Sequence, residues 1–311
     1  MAEPSLPLSL KLRYGAEAAL FLAFMGLFRI MGVDAASALG GFIGRNIFAR
    51  TRVTARAREN LARAFPEKPQ AEINAILKSM WDNLGRTVAE YAHLDKFDLH
   101  GANPRIVTEN VEVAEKIRGN AVLMLSGHFA NWEILGIAAA RFGLDGAIVY
   151  RPPNNPYVDR YIARARAKKG YTEQIGKHNG VKRILSVLRA GKAILLLADQ
   201  KTNEGVAAPF FGRDAMTTPA PAMLALKLNV PVVFASNKRL GGAHFRVTLH
   251  PPLEFTPSSD VHADIQAMTA AINLRLEEMV RADPSQWLWI HRRWPTEKDK
   301  IRAGSSPGGV A

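Results

Sequence analysis

Leu123-Met124-Leu125-Ser126-Gly127-His128-Phe129-Ala130-Asn131-Trp132-Glu133 decides how the chain is read: an apolar run stops on a histidine, and a carboxylate follows five residues later. Ala121 to Leu125 is short, uncharged and bounded by Asn120 and Gly127, the pattern of a buried strand rather than a helical turn. Asn131 is expected to cap a helix, and Ile134 to Phe142 runs on in Ala and Leu with no breaker before Gly143. His128 therefore falls between a strand's carboxyl end and a helix start, the edge at which α/β sheets bind ligands.

On one continuous helix a five-residue step turns through roughly 500°, which leaves two side chains about 140° apart. A turn at Gly127-Phe129 removes that obstacle. It lets Glu133 fold back on His128 and hold one ring nitrogen while the other accepts a proton. The plainer alternative is a capping histidine beside a first-turn glutamate that favours the helix dipole.

More of a pattern is present. Gly127-His128-Phe129-Ala130-Asn131-Trp132-Glu133 resembles the signature of the bacterial lipid A biosynthesis acyltransferases, the late lauroyl and myristoyl transferases, within the wider glycerolipid acyltransferases that carry H-x4-D/E. The resemblance continues through Val149-Tyr150-Arg151-Pro152-Pro153-Asn154-Asn155-Pro156, Ala198-Asp199-Gln200, Phe210-Phe211-Gly212 and Gln286-Trp287-Leu288-Trp289-Ile290-His291-Arg292-Arg293-Trp294. These blocks stand in the family's order and reach from the apolar N-terminus to about Trp294. The resemblance implies an α/β fold, a mixed sheet flanked by helices. It also implies His128 as general base and Glu133 as its orienter, with no metal and no cofactor.

At 311 residues and 48% hydrophobic the chain can bury one sizeable core, and no linker divides it. Cysteine is absent, which excludes disulfides, thiolate metal sites and a cysteine nucleophile. A formal charge of +13 implies an acidic partner, whether nucleic acid, anionic lipid or protein. The basic residues do not form one tail, and no nucleic-acid-binding motif is found, so no nucleic-acid partner is expected.

Ala18 to Val33 is apolar apart from Arg29, sixteen residues that stop short of a membrane span. Ala35 to Ala49 is apolar apart from Arg45, and Arg50, Arg52, Arg56, Arg58 and Arg63 follow. An apolar segment beside an arginine cluster fits attachment to an anionic leaflet; a greasy hairpin packed on its own domain is the alternative. Residues 1–50 are thus expected to be a membrane-attachment region, 51–302 the α/β domain and 303–311 a disordered tail. The family resemblance implies that this attachment is to the cytoplasmic face of the inner membrane.

Further strands are expected at Ala147–Tyr150, Ala193–Ala198, Val232–Ala235 and, as a sheet edge, His244–His250. Helices are expected at 73–94, 157–169, 181–189, 220–228 and 260–280. Arg151 ends a strand toward the crevice of His128. On the basic helix Arg160 and Arg164 share a face while Arg166 points elsewhere. In the resemblance Arg166 matches the active-site arginine; from the residues alone, a phosphate clamp and a solvated basic face both remain open. Asp199 lands beside His128, where it could orient a substrate hydroxyl, pair with Arg166, or simply start a turn. Gln200 and Asn131 complete the expected substrate contacts. Phe210-Phe211-Gly212 and Thr217-Thr218-Pro219 are expected to wall an acyl chain, and His93 and His100 to be structural or surface residues.

The function so implied is transfer of an acyl group from a carrier thioester to a hydroxyl of a lipid A precursor or related glycolipid. Acyl carrier protein is the expected donor, with acyl-coenzyme A as the other possibility. No acyl-enzyme is required: Ser126 lacks the G-x-S-x-G setting of a nucleophile. Oxyanion donors are sought among backbone N–H groups near Phe129 or the arginines. The rivals are a basic binding protein without chemistry and a hydrolase or metalloenzyme assembled from distant histidines.

Overall fold

The computed structural model describes residues 7–101, 103–168, 173–176 and 180–295, so the expected tail at 303–311 lies outside them. The chain opens with α1 (Leu8–Ile30), α2 (Val33–Asn46), α3 (Val53–Ala64), which stops ahead of Pro66, and α4 (Gln70–Glu90). Strands and helices then alternate: β1 (Ile106–Glu109), α5 (Val111–Ile117), β2 (Val122–Ser126), α6 (Glu133–Arg141), β3 (Gly146–Val149), α7 (Pro156–Ala167), β4 (Glu173–Ile175), α8 (Gly180–Arg189) and β5 (Ala193–Leu197). A hairpin of β6 (Lys201–Phe210) and β7 (Arg213–Thr217) precedes α9 (Ala220–Leu228), β8 (Val232–Gly241), β9 (His244–Leu249) and α10 (Val261–Ala282).

Seven strands form one mixed sheet in the order β1-β9-β8-β2-β5-β3-β4, in which only the β8–β9 pairing is antiparallel. Every residue of β2 is buried, which explains its unbroken apolar run. Leu123 and Leu125 pack on one side with Leu61, Met80, Ile272 and Leu276. Val122 and Met124 pack on the other with Ile134, Leu135 and Ala138 of α6.

Two expectations need correction. β9 is not an edge, because Ile106–Glu109 pairs with it in parallel; that strand is four residues long and half polar, too short to carry a periodic signal. Phe210-Phe211-Gly212 is no loop of the cavity wall but the tip of the β6–β7 hairpin, where Phe211 and Gly212 take positive φ angles of 53° and 65°.

The N-terminal helices pack closely. Gly40 and Gly44 of α2 meet Gly85 of α4 at backbone contact, where a Cβ on Gly44 would run into the carbonyl oxygen of Trp81. α1 buries Ala18, Met25 and Phe28 but leaves Leu8, Leu12, Leu20, Phe24, Leu27 and Ile30 exposed. Among the described residues no helix is long and apolar enough to cross a membrane.

Candidate active site

β2 and β5 are parallel neighbours with Ser126 beside Leu197. Two residues past that pair stand His128 and Asp199, so strand register sets them side by side. Asp199 is 2% exposed; its Oδ1 lies 2.8 Å from His128 Nδ1, while Oδ2 accepts from the His128 backbone N–H at 2.7 Å and from Trp287 Nε1 at 2.8 Å. Burial alone would push the Asp199 carboxyl up, but the His128 ring and these hydrogen bonds outweigh it and hold the carboxyl well below the usual carboxylate range. A carboxylate that accepts from Nδ1–H leaves Nε2 of His128 as the free acceptor.

The loop that carries His128 is held from beneath. Ala130 has φ +46°, strained for a residue with a Cβ, and its carbonyl accepts from Asn83 Nδ2 at 3.1 Å and Thr87 Oγ1 at 3.0 Å, both on α4. Asn131 is fully buried; its Oδ1 accepts from the Glu133 N–H at 3.1 Å, starting α6, and its Nδ2 donates to Glu90 at 2.9 Å. It is therefore a support of the loop and not the substrate contact expected. Glu90, wholly enclosed, is itself neutralised by Arg239 of β8. A buried pair of this kind contributes little net stability, so its benefit lies in fixing geometry.

Glu133 does not hold the histidine. Arg166 grips both of its oxygens, Nε to Oε2 at 2.7 Å and Nη2 to Oε1 at 2.8 Å, and Tyr91 donates its hydroxyl to Oε1. The bidentate guanidinium fork outcompetes a single imidazole N–H for the carboxylate. Burial works against the Arg166 charge, yet Glu133 outweighs it and raises the guanidinium pKa. The Asp199–Arg166 pairing, one of the alternatives for Asp199, is likewise absent, since Asp199 is taken by His128 and Arg166 by Glu133. Arg166 turns inward over the Tyr150 ring, 5.0 Å from its centroid, while Arg160 and Arg164 stay exposed.

These groups border a cavity of about 850 Å³. His128, Trp132, Glu133, Arg166, Gln200 and His291 line its polar part, Ile137, Ile148, Ile162, Ala165, Leu195 and Leu197 its apolar part, and Arg151 and Pro153 its wall toward α7. Thr218 borders it as expected, whereas Phe210 and Phe211 pack instead against Trp287, Trp289 and Trp294. Those tryptophans are all buried and pack in the core. Ser126 is wholly enclosed with its hydroxyl 3.5 Å from the Gly127 carbonyl, out of reach of a substrate.

His291, unassigned from sequence, completes the site. Residues 286–288 zip onto the His128 loop: Ala130 N donates to Gln286 O at 2.9 Å and Leu288 N to His128 O at 3.1 Å. Asn60 of α3 holds the carbonyls of Trp289 and His291 at 2.8 and 2.6 Å. The His291 and His128 rings consequently lie 5.4 Å apart, with Gln200 Nε2 at 3.2 Å from the Nε2 of each. Burial and the nearby His128 keep the His291 pKa below the ordinary histidine value. The only sequence signal for it was membership of the terminal 286–294 block.

Residues 4–296 match the family model of the bacterial lipid A biosynthesis acyltransferases. Similar proteins include a Haemophilus influenzae lipid A biosynthesis acyltransferase, 23% identical over 265 residues that cover 84% of this chain and 83% of that protein. The Escherichia coli lipid A biosynthesis palmitoleoyltransferase is 24% identical over 82% of this chain and 84% of its own length, and the myristoyltransferase of that organism 26% over 84% and 80%. With nearly its whole length matched, the chain belongs to the bacterial lipid A biosynthesis acyltransferase family.

Proposed function

We propose that the protein transfers a fatty acyl chain from an acyl carrier protein thioester to a hydroxyl of a lipid A precursor, with His128 as general base. One observation carries the mechanism: a histidine fixed through Nδ1 by a buried aspartate, with Nε2 beside a half-apolar cavity of about 850 Å³. Nε2 takes the hydroxyl proton and the oxygen attacks the thioester carbonyl carbon. The tetrahedral intermediate then expels the thiolate, which recovers the proton from Nε2. Asp199 keeps the ring in the productive tautomer and stabilises the imidazolium. The apolar cavity wall receives the acyl chain, and Arg166, Arg151 and Gln200 meet the polar parts of the substrates.

The acceptor rests on family membership and on relatives named for lipid A biosynthesis. An acidic carrier is supported by the +13 charge and by exposed Arg160, Arg164 and Lys168 on and after α7. Attachment to the cytoplasmic face of the inner membrane is supported by the exposed apolar side chains of α1 and by Phe42, Ile47 and Phe48, beside the basic 50–63 stretch.

The test is purified protein with lauroyl carrier protein, lauroyl-coenzyme A and a lipid A precursor, read by mass spectrometry. A lipid heavier by one acyl group is expected, and its absence with both donors overturns the reading. A steered encounter with the carrier protein should slow with salt more steeply than reaction with coenzyme A, because the Debye length is about 10 Å at 0.1 M. Arg164→Glu should slow the carrier reaction alone; equal salt slopes would remove carrier docking from the proposal.

A further inference from the structure

The reaction needs a donor for the oxyanion of the tetrahedral intermediate, and three backbone N–H groups at the histidine are already committed. The His128 N–H is committed to Asp199 at 2.7 Å, the Phe129 N–H to the Gly127 carbonyl at 2.8 Å and the Ala130 N–H to the Gln286 carbonyl at 2.9 Å. The Arg166 guanidinium spends Nε and Nη2 on Glu133, and its Nη1, buried and without a hydrogen-bond partner, makes no contact of that kind with His128. Gln200 is the side chain in direct contact with the reacting nitrogen, its amide nitrogen 3.2 Å from the Nε2 of both His128 and His291.

We propose that the Gln200 side-chain amide, held in place by His291, is the oxyanion donor of acyl transfer, an assignment that rests on the acyltransferase reading above. An amide nitrogen carries two N–H groups. With Nδ1–H of His128 given to Asp199, Nε2 of that ring is a lone pair, and Gln200 donates to it. The second N–H is donated to Nε2 of His291, a ring whose pKa burial holds below the ordinary histidine value. An acceptor hydroxyl that approaches Nε2 must displace the first of these hydrogen bonds. The N–H so released stays within hydrogen-bond range of the attacking oxygen and turns to the carbonyl oxygen beside it as charge develops there. The second N–H keeps its bond to His291, so the amide is oriented before the reaction begins. Gln200 is then a catalytic residue and His291 a positioning residue. No proton is moved by either, and the balance is that of the transfer itself: O–C forms, C–S breaks, and the hydroxyl proton passes through His128 to the thiolate.

The experiment measures kcat and KM for lauroyl carrier protein and a lipid A precursor from pH 5 to 9, with thermal melting of each variant. Gln200→Met keeps the side-chain length without a donor and should lower kcat about 10²-fold at nearly constant KM and melting temperature. Gln200→Glu should lower kcat at least as far and shift the acid limb to higher pH, because a carboxylate beside Nε2 favours the imidazolium. His291→Ala should lose about tenfold in kcat, and His291→Asn, which restores an acceptor for Gln200, should recover most of it. An active parent whose kcat survives Gln200→Met overturns this assignment alone, as does a loss confined to KM or to melting temperature. A parent that transfers nothing overturns the acyltransferase reading and the assignment with it.

Discussion

Asp199 and Glu133 are both carboxylates in the wall around one cavity, 2% and 8% exposed, yet one serves a histidine and the other an arginine. The difference arises from where each begins. Asp199 leaves β5 in register with His128, so the imidazole meets it without competition. Glu133 starts α6 facing α7, where the Arg166 fork takes both oxygens and Tyr91 adds a third hydrogen bond. Closeness along the sequence counts for less than the geometry and number of donors that tertiary structure brings.

The largest expected effect tests the histidine side. His128→Ala should lower transfer by about 10²–10⁴-fold, and Asp199→Asn by nearly as much, because the amide cannot stabilise the imidazolium. Steady-state rates that leave Asp199→Asn near the parent would return the orienting role to Glu133. On the arginine side, Glu133→Gln strands the Arg166 charge and should cost about 3–5 kcal/mol in denaturant unfolding, and adding Arg166→Met should restore much of that. Additive losses in the double variant would show that the two side chains do not act as a pair.

Tyr91→Phe removes one hydrogen bond to Glu133 and should cost roughly 1–2 kcal/mol, with a smaller loss of activity than Asp199→Asn. The least effect is on acid stability. Asp199 binds its proton less readily folded than unfolded, so the stability it lends is full above the ordinary carboxylate pKa of about 3.9 and drains as pH falls toward its folded value. Melting profiles of Asp199→Asn should accordingly be flatter between pH 5 and 2 than those of the parent.

Most of the scaffold was readable because buried parallel strands and amphipathic helices announce themselves locally. β2, β3, β5, α6 to α10 and the loop position of His128 all follow from runs of a few residues. β1 escaped because four half-polar residues carry no period, and the hairpin because Phe210-Phe211-Gly212 reads equally well as a loop. The pairing inside the site was illegible for a different reason. His128 and Asp199 were both visible, but their bond depends on the β2–β5 register, and His291 arrives from 163 positions further on through Asn60 and the 286–288 zip. Neither is a property of any short window.

The glycine contact between α2 and α4 limits how this protein can be re-engineered. Ser37 of α2 donates to the same Glu90 that anchors Asn131, so the helix that rests on Gly85 also reaches the underside of the His128 loop. Exchanging residues 1–50 for a generic lipid-binding peptide would discard this mortise along with any affinity for membranes. A replacement would have to bring small residues at the spacing of Gly40 and Gly44 and a hydroxyl at the place of Ser37. The N-terminal helices are thus less a detachable handle than a keystone set into the back of the candidate active site.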